Sequence, residues 1–134
     1  MEDIFVGRLM SSDVVTVRPE TLVEEAATTL LEKRIGSVVV VDDDNQVEGI
    51  LTSTDFVRIV ANGDPKDQTT VAEHMSGEVV TVGAQDDVQE AANRFVTYQI
   101  HHLPVVDDEE GLIGILSTTD LTAYLSDVEQ PTPA

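Results

Sequence analysis

The chain has 134 residues, 26 acidic against 7 basic, a net charge of −19 and no cysteine. Disulfides, thiolate catalysis and cysteine-ligated zinc are therefore excluded, and the negative field repels nucleic acid and anionic membranes at long range. The N-terminus lacks the basic-then-apolar pattern of a secretory signal. The longest apolar run, Val38–Val41, is far too short to span a bilayer, so a cytoplasmic protein is expected.

In chain order, a lead-in segment (Phe5–Met10) precedes a β-rich stretch, Val14–Val17. Thr21 followed by Glu24 predicts a capped helix start. Leu22, Ala26, Ala27, Leu30 and Leu31 then fall on one helical face. Strands are predicted at Ser37–Val41 and Val47–Leu51 around a turn at Asp42–Gln46, followed by a helix from about Thr54 to Ala61. Asn62–Thr70, with Gly63, Asp64 and Pro65, reads as a linker.

The series then repeats. A lead-in at Val71–Met75 and a β-rich Val79–Val82 come first. A helix follows, opened by Asp86 and Gln89 and lined by Val88, Ala91, Ala92, Phe95 and Val96. Strands at Leu103–Val106 and Leu112–Leu116 precede a last helix, Thr119–Leu125, and a loose tail with two prolines. Sliding the chain 65 positions along itself aligns Val14–Val17 with Val79–Val82, Glu25–Ala27 with Glu90–Ala92, and Val40–Asp43 with Val105–Asp108. Over a third of the paired positions are identical, so the chain is a tandem duplication of one β-α-β-β-α unit. The expected division is repeat 1 at 1–62, a linker at 63–70, repeat 2 at 71–127 and a tail at 128–134. Each repeat, about 60 residues, is too small to cover its own sheet. The halves are expected to pack pseudo-symmetrically as an α/β (α+β) fold with two related clefts.

The phrases GILTSTD (Gly49–Asp55) and GILSTTD (Gly114–Asp120) each run from a strand end into a helix start. Glycine there admits close approach of a ligand or another backbone. A helix start offers N–H groups to an anion, and a carboxylate can accept two hydroxyl hydrogen bonds from a ribose diol. One copy of such a pattern is most often a plain N-cap. Two copies at matched positions in a duplicated unit point further.

The chain resembles a tandem CBS-domain pair, or Bateman module, from Val6 to about Asp127. The resemblance rests on the duplicated element order, Val-Thr-Val after each lead-in, His102-Leu103-Pro104-Val105-Val106-Asp107 before the hairpin, and both GxxS/TxxD signatures. It implies binding of adenosyl ligands (AMP, ADP, ATP or S-adenosylmethionine) in clefts between the repeats. Asp55 and Asp120 would hold ribose. Thr52, Ser53, Thr54, Ser117, Thr118 and Thr119 would support ribose or phosphate. Thr16, Val17, Ile35, Ser37 and Val38, and Thr81, Val82, Ile100, Leu103 and Pro104, would line adenine pockets. It also implies a homodimer built on the helices. The scattered acids and scarce lysine resemble proteins of salt-loving archaea, in whose molar-salt cytoplasm self-repulsion is screened within ~3 Å.

The repeats differ at His101-His102, where the first has Gly36-Ser37. Imidazoles there can donate to a ligand phosphate; surface histidines or a metal pair are the alternatives, but neighbouring strand residues point to opposite faces. The scarcity of basic groups favours AMP over ATP, which would call for Mg²⁺. The acids of Asp42–Asp44 and Asp107–Glu110 read as solvated turns, without calcium-loop spacing. No catalytic set and no metal site are evident. The expectation is a non-enzymatic, stand-alone regulatory sensor whose regulated protein the sequence does not name. The alternatives are an interaction module with empty clefts and an accessory to ion transport or nucleic-acid binding, the latter disfavoured by charge.

Overall fold

A computed structural model describes residues 4–126; the expected tail, 128–134, lies outside the described residues. The element order is α1 (Val6–Leu9), β1 (Thr16–Val17), α2 (Val23–Lys33), β2 (Ser37–Val41), β3 (Val47–Thr52) and α3 (Ser53–Asn62), then a 3₁₀ turn (Val71–Glu73), α4 (Val88–Tyr98), β4 (His102–Asp107), β5 (Gly111–Ser117) and α5 (Thr118–Leu125). The helix–hairpin–helix series of the duplication is thus visible in both repeats.

The compact units cut across the sequence repeats. One unit is Val15–Val79; the other joins the N-terminal segment through Val14 to the chain from Val80 onward. Each unit therefore takes its lead-in from the other repeat, and the hydrogen bonds show why. The N–H of Val23, at the start of α2, donates to the Thr69 carbonyl at 2.9 Å, and Val71 N–H donates to Thr21 at 2.8 Å. In the other unit, Val88 N–H donates to Ile4 at 2.8 Å and Val6 N–H to Asp86 at 2.8 Å. A passing backbone thus satisfies the orphan N–H groups at each helix start. The expected Thr21–Glu24 capping box is not formed. The N-cap is Leu22, without a side-chain cap bond, and Thr21 Oγ1 accepts from Arg18 N–H instead. In α4 the cap is Asp87 rather than Asp86, accepting from Gln89 N–H at 2.8 Å.

In the 15–79 unit, β1 runs parallel to β2, which pairs antiparallel with β3. Val17, Val23, Ala26, Leu30, Val38, Val40, Leu51, Ile59 and Val71 form its core. In the other unit β4 and β5 form a two-stranded sheet over Val6, Val82, Ala91, Phe95, Leu103, Val105 and Leu116. The strand expected at Val79–Val82 is reduced to a single parallel bridge, Val82 to Val105. The cause is one residue. In the first unit Val39 N–H donates to Val15 at 3.3 Å. The matching residue of the second repeat is Pro104, which has no N–H to donate. The freed stretch is held otherwise: the Arg94 guanidinium donates to the Thr81 carbonyl.

Candidate functional site

Both signatures sit where a hairpin's second strand enters a helix. In the first, β3 carries Gly49 opposite Val40 and Thr52 opposite Ser37. In the second, β5 carries Gly114 opposite Val105 and Ser117 opposite His102. A Cβ on Gly49 would lie 2.5 Å from the Met75 sulfur, and one on Gly114 equally close to that of Met10. The lead-in backbone crosses here: Ile50 and Ser76 exchange two hydrogen bonds (3.2 and 3.0 Å), and Ser11 and Ile115 do the same at 2.9 Å. The signature glycines therefore admit a neighbouring backbone of their own unit.

The aspartates are held as N-terminal caps. Ser117 N–H donates to Asp120 Oδ2 at 2.8 Å and Asp120 N–H returns to Ser117 Oγ at 3.1 Å. In the first site Thr52 N–H donates to Asp55 Oδ2 at 2.8 Å, and the Thr52 hydroxyl lies 3.3 Å from the same oxygen. The N–H groups of Ser53 and Thr118 donate to the carbonyls of Gly36 and His101 at 3.2 and 3.0 Å. Those two N–H groups are consequently not available to an anion.

The remaining carboxylate oxygens differ. Asp55 Oδ1 is ion-paired with Arg58 at 3.0 Å. Among the described residues none hydrogen-bonds Asp120 Oδ1, and the position matching Arg58 is Ala123. Arg58 escaped the sequence reading although its i,i+3 spacing from Asp55 was legible. His102 stands half-buried across the strands from Ser117. Burial pushes its pKa below the ordinary histidine value, His101 adds to this, and the Asp120 carboxylate opposes it.

The other named residues divide by burial. Ser53, Thr54 and His101 are exposed, and Thr52, Thr118 and Thr119 partly so. Ser37 and Ser117 are buried beneath the helix starts. Of the expected adenine-pocket residues, Thr16 is exposed, and Ile35, Thr81 and Ile100 are partly buried. Val17, Val38, Val82, Leu103 and Pro104 are buried within their own units. Their side chains serve the cores, which leaves backbone groups as their means of touching a ligand. Arg34 sits in the left-handed region (φ 55°) as the C-cap of α2 and is matched by Gln99 at the end of α4. The acidic turns cap themselves: Asp42 Oδ1 accepts from Asp44 and Gln46 N–H, and Asp107 Oδ2 from Glu109 and Glu110. Among the described residues no cluster suited to a metal ion occurs, and no helix is long and apolar enough to cross a membrane.

The CBS domain family model matches twice, over residues 6–62 and 71–127. The chain belongs to the CBS-domain family. The matched spans repeat the duplication seen in the fold, so the chain is a tandem CBS pair. An uncharacterised protein of Methanopyrus kandleri is 36% identical over 90% of this CBS pair, which spans 62% of that relative's length. A homoserine O-acetyltransferase of Methanosalsum zhilinae is 30% identical over 93% of the chain, and the match occupies 25% of that enzyme. The crystal structure of the CBS domain pair of protein MJ0100, in complex with 5′-methylthioadenosine and S-adenosyl-L-methionine, superposes with a TM-score of 0.84. It is 27% identical, and the match covers 92% of this chain and 97% of that one.

Proposed function

We propose that this CBS pair is a regulatory, non-catalytic module that binds an adenosyl ligand at Asp55 and Asp120 and passes the occupancy to a partner protein. The observation that carries this reading is the state of Asp120. One oxygen is spent on the helix cap, and the other makes no hydrogen bond among the described residues, with His102 across the strands from Ser117. A ribose diol needs such an acceptor. The matching signature aspartate, Asp55, and the adenosyl ligands held by the similar CBS pair of protein MJ0100 support the same ligand class. AMP is favoured over ADP and ATP because only five arginines and two lysines occur in the chain, and a polyphosphate would bring Mg²⁺ with it. S-adenosylmethionine is the other favoured ligand. The acetyltransferase named above is four times as long as the matched segment, and its activity is not assigned to this chain.

Thermal unfolding in molar salt, with AMP, ADP, ATP and S-adenosylmethionine added separately, tests the reading. A ligand at about 100 times its Kd stabilises by ~2.7 kcal/mol, which raises Tm by roughly 5–15 °C for a chain of this size. No shift with any of the four favours a second reading, an interaction module with vacant clefts. That reading has its own support: Leu31, Val60, Val96 and Leu125 are 70–81% exposed at positions matched between the repeats.

A further inference from the structure

The two signatures are alike in sequence and unlike in charge arrangement. In the first, both oxygens of Asp55 are engaged, Oδ2 by the Thr52 cap at 2.8 Å and Oδ1 by Arg58 at 3.0 Å. The Asp55 side chain is 13% exposed, whereas that of Arg58 is 59% exposed. The carboxylate is thus the buried member of the pair and the guanidinium the exposed one. In the second signature Oδ2 of Asp120 is engaged at 2.8 Å. No described residue bonds Oδ1, and Ala123 brings no cation. Burial holds the pKa of His102, the basic group opposite Ser117, below the ordinary histidine value. Among the described residues, the ion pair of Arg58 with Asp55 therefore has no counterpart at Asp120.

We propose that Arg58 makes the two signatures chemically unequal, so that the first selects adenosyl ligands bearing an anionic group while the second accepts uncharged ones as well. The proposal rests on the adenosyl reading above. A diol that reaches Asp55 must displace Arg58 from Oδ1. An uncharged ligand offers the released guanidinium nothing in return. A phosphate re-pairs it through charge-assisted, bidentate geometry that suits arginine. At Asp120 the diol meets an uncommitted oxygen and displaces no ion pair.

Asparagine in place of either aspartate retains one carbonyl oxygen for the cap and puts an NH₂ donor where the second oxygen stood. Asp120→Asn therefore leaves the first site readable alone, and Asp55→Asn the second. Titration calorimetry of each with AMP and with 5′-methylthioadenosine, at the lowest salt in which the chain stays folded, decides the matter. The Asp120→Asn chain is expected to bind AMP about two- to fivefold more tightly than 5′-methylthioadenosine, the scale of one exposed ion pair. Adding Arg58→Ala, or the longer neutral Arg58→Gln, is expected to abolish that preference, while neither change alters the ligand ratio of the Asp55→Asn chain. A first-site ratio unchanged by both Arg58 variants overturns the proposal and leaves the adenosyl reading standing. Absence of binding by the unsubstituted chain overturns both.

Discussion

Asp120 commits one of its two oxygens to the cap of α5. Its cap bond to Ser117 stabilises the start of α5, and loss of such a cap costs about 1 kcal/mol. Its second oxygen makes no hydrogen bond among the described residues. His102 is the titrating neighbour. Its folded pKa is depressed by burial, with His101 adding and Asp120 opposing. The unfolded chain thus takes up the proton first as pH falls through the ordinary histidine range. Stability contributed here is complete above about pH 6.5 and is lost toward the lower folded pKa. His102→Gln is expected to remove this component. The difference between the unfolding free energies of the two proteins, followed from pH 7.5 to 5, should narrow as pH falls. A difference independent of pH would mean that His102 titrates alike in both states.

At the scale of elements, the lead-in segments explain the glycines. Gly49 and Gly114 lie under the crossing at Met75–Ser76 and Met10–Ser11. Adding a methyl group at Gly114 forces the Met10 side chain and the Ser11 carbonyl, 3.0 Å from the new carbon, to move. Overpacking of this kind costs about 1–3 kcal/mol. Gly114→Ala is expected to lower stability by that amount in chemical denaturation. Gly77→Ala, whose new carbon meets nothing within 4 Å, is expected to leave it nearly unchanged. If both behave alike, the crossing is looser than described. The β-hairpins were legible as short runs of Val, Ile and Leu on either side of acidic turns. The short parallel strand of the second repeat was not, because the proline at 104 acts on a partner 24 residues upstream at Val80. The expected Thr21 cap failed for a related reason: a backbone brought in from residues 69–71 supplies the acceptor that a side chain would otherwise provide.

For the whole molecule, matched exposure is the guide. A groove between α2 and α3 is lined by Ala27, Leu31, Phe56 and Val60, and one between α4 and α5 by Ala92, Leu121, Tyr124 and Leu125. Apolar side chains this exposed fit an interaction surface, such as that of the homodimer the family resemblance implies. Sedimentation in molar salt should give twice the chain mass of 14.5 kDa. Leu31→Glu with Val60→Glu should give the monomer, and a single-chain mass for the unsubstituted protein would exclude the dimer.

The sequence by itself determined the duplication, the order of elements, the family and the two signature aspartates, because these are written in local periodicity and in a 65-residue register. The tertiary structure decided which repeat supplies each lead-in, why the signature is built on glycine, and which carboxylate oxygen is left open. Those outcomes depend on backbones and charges meeting across dozens of residues, where local propensity carries no information. Arg58 lies between the two cases. Its spacing was visible, but only the folded helix shows that its guanidinium occupies the oxygen that Asp120 leaves open.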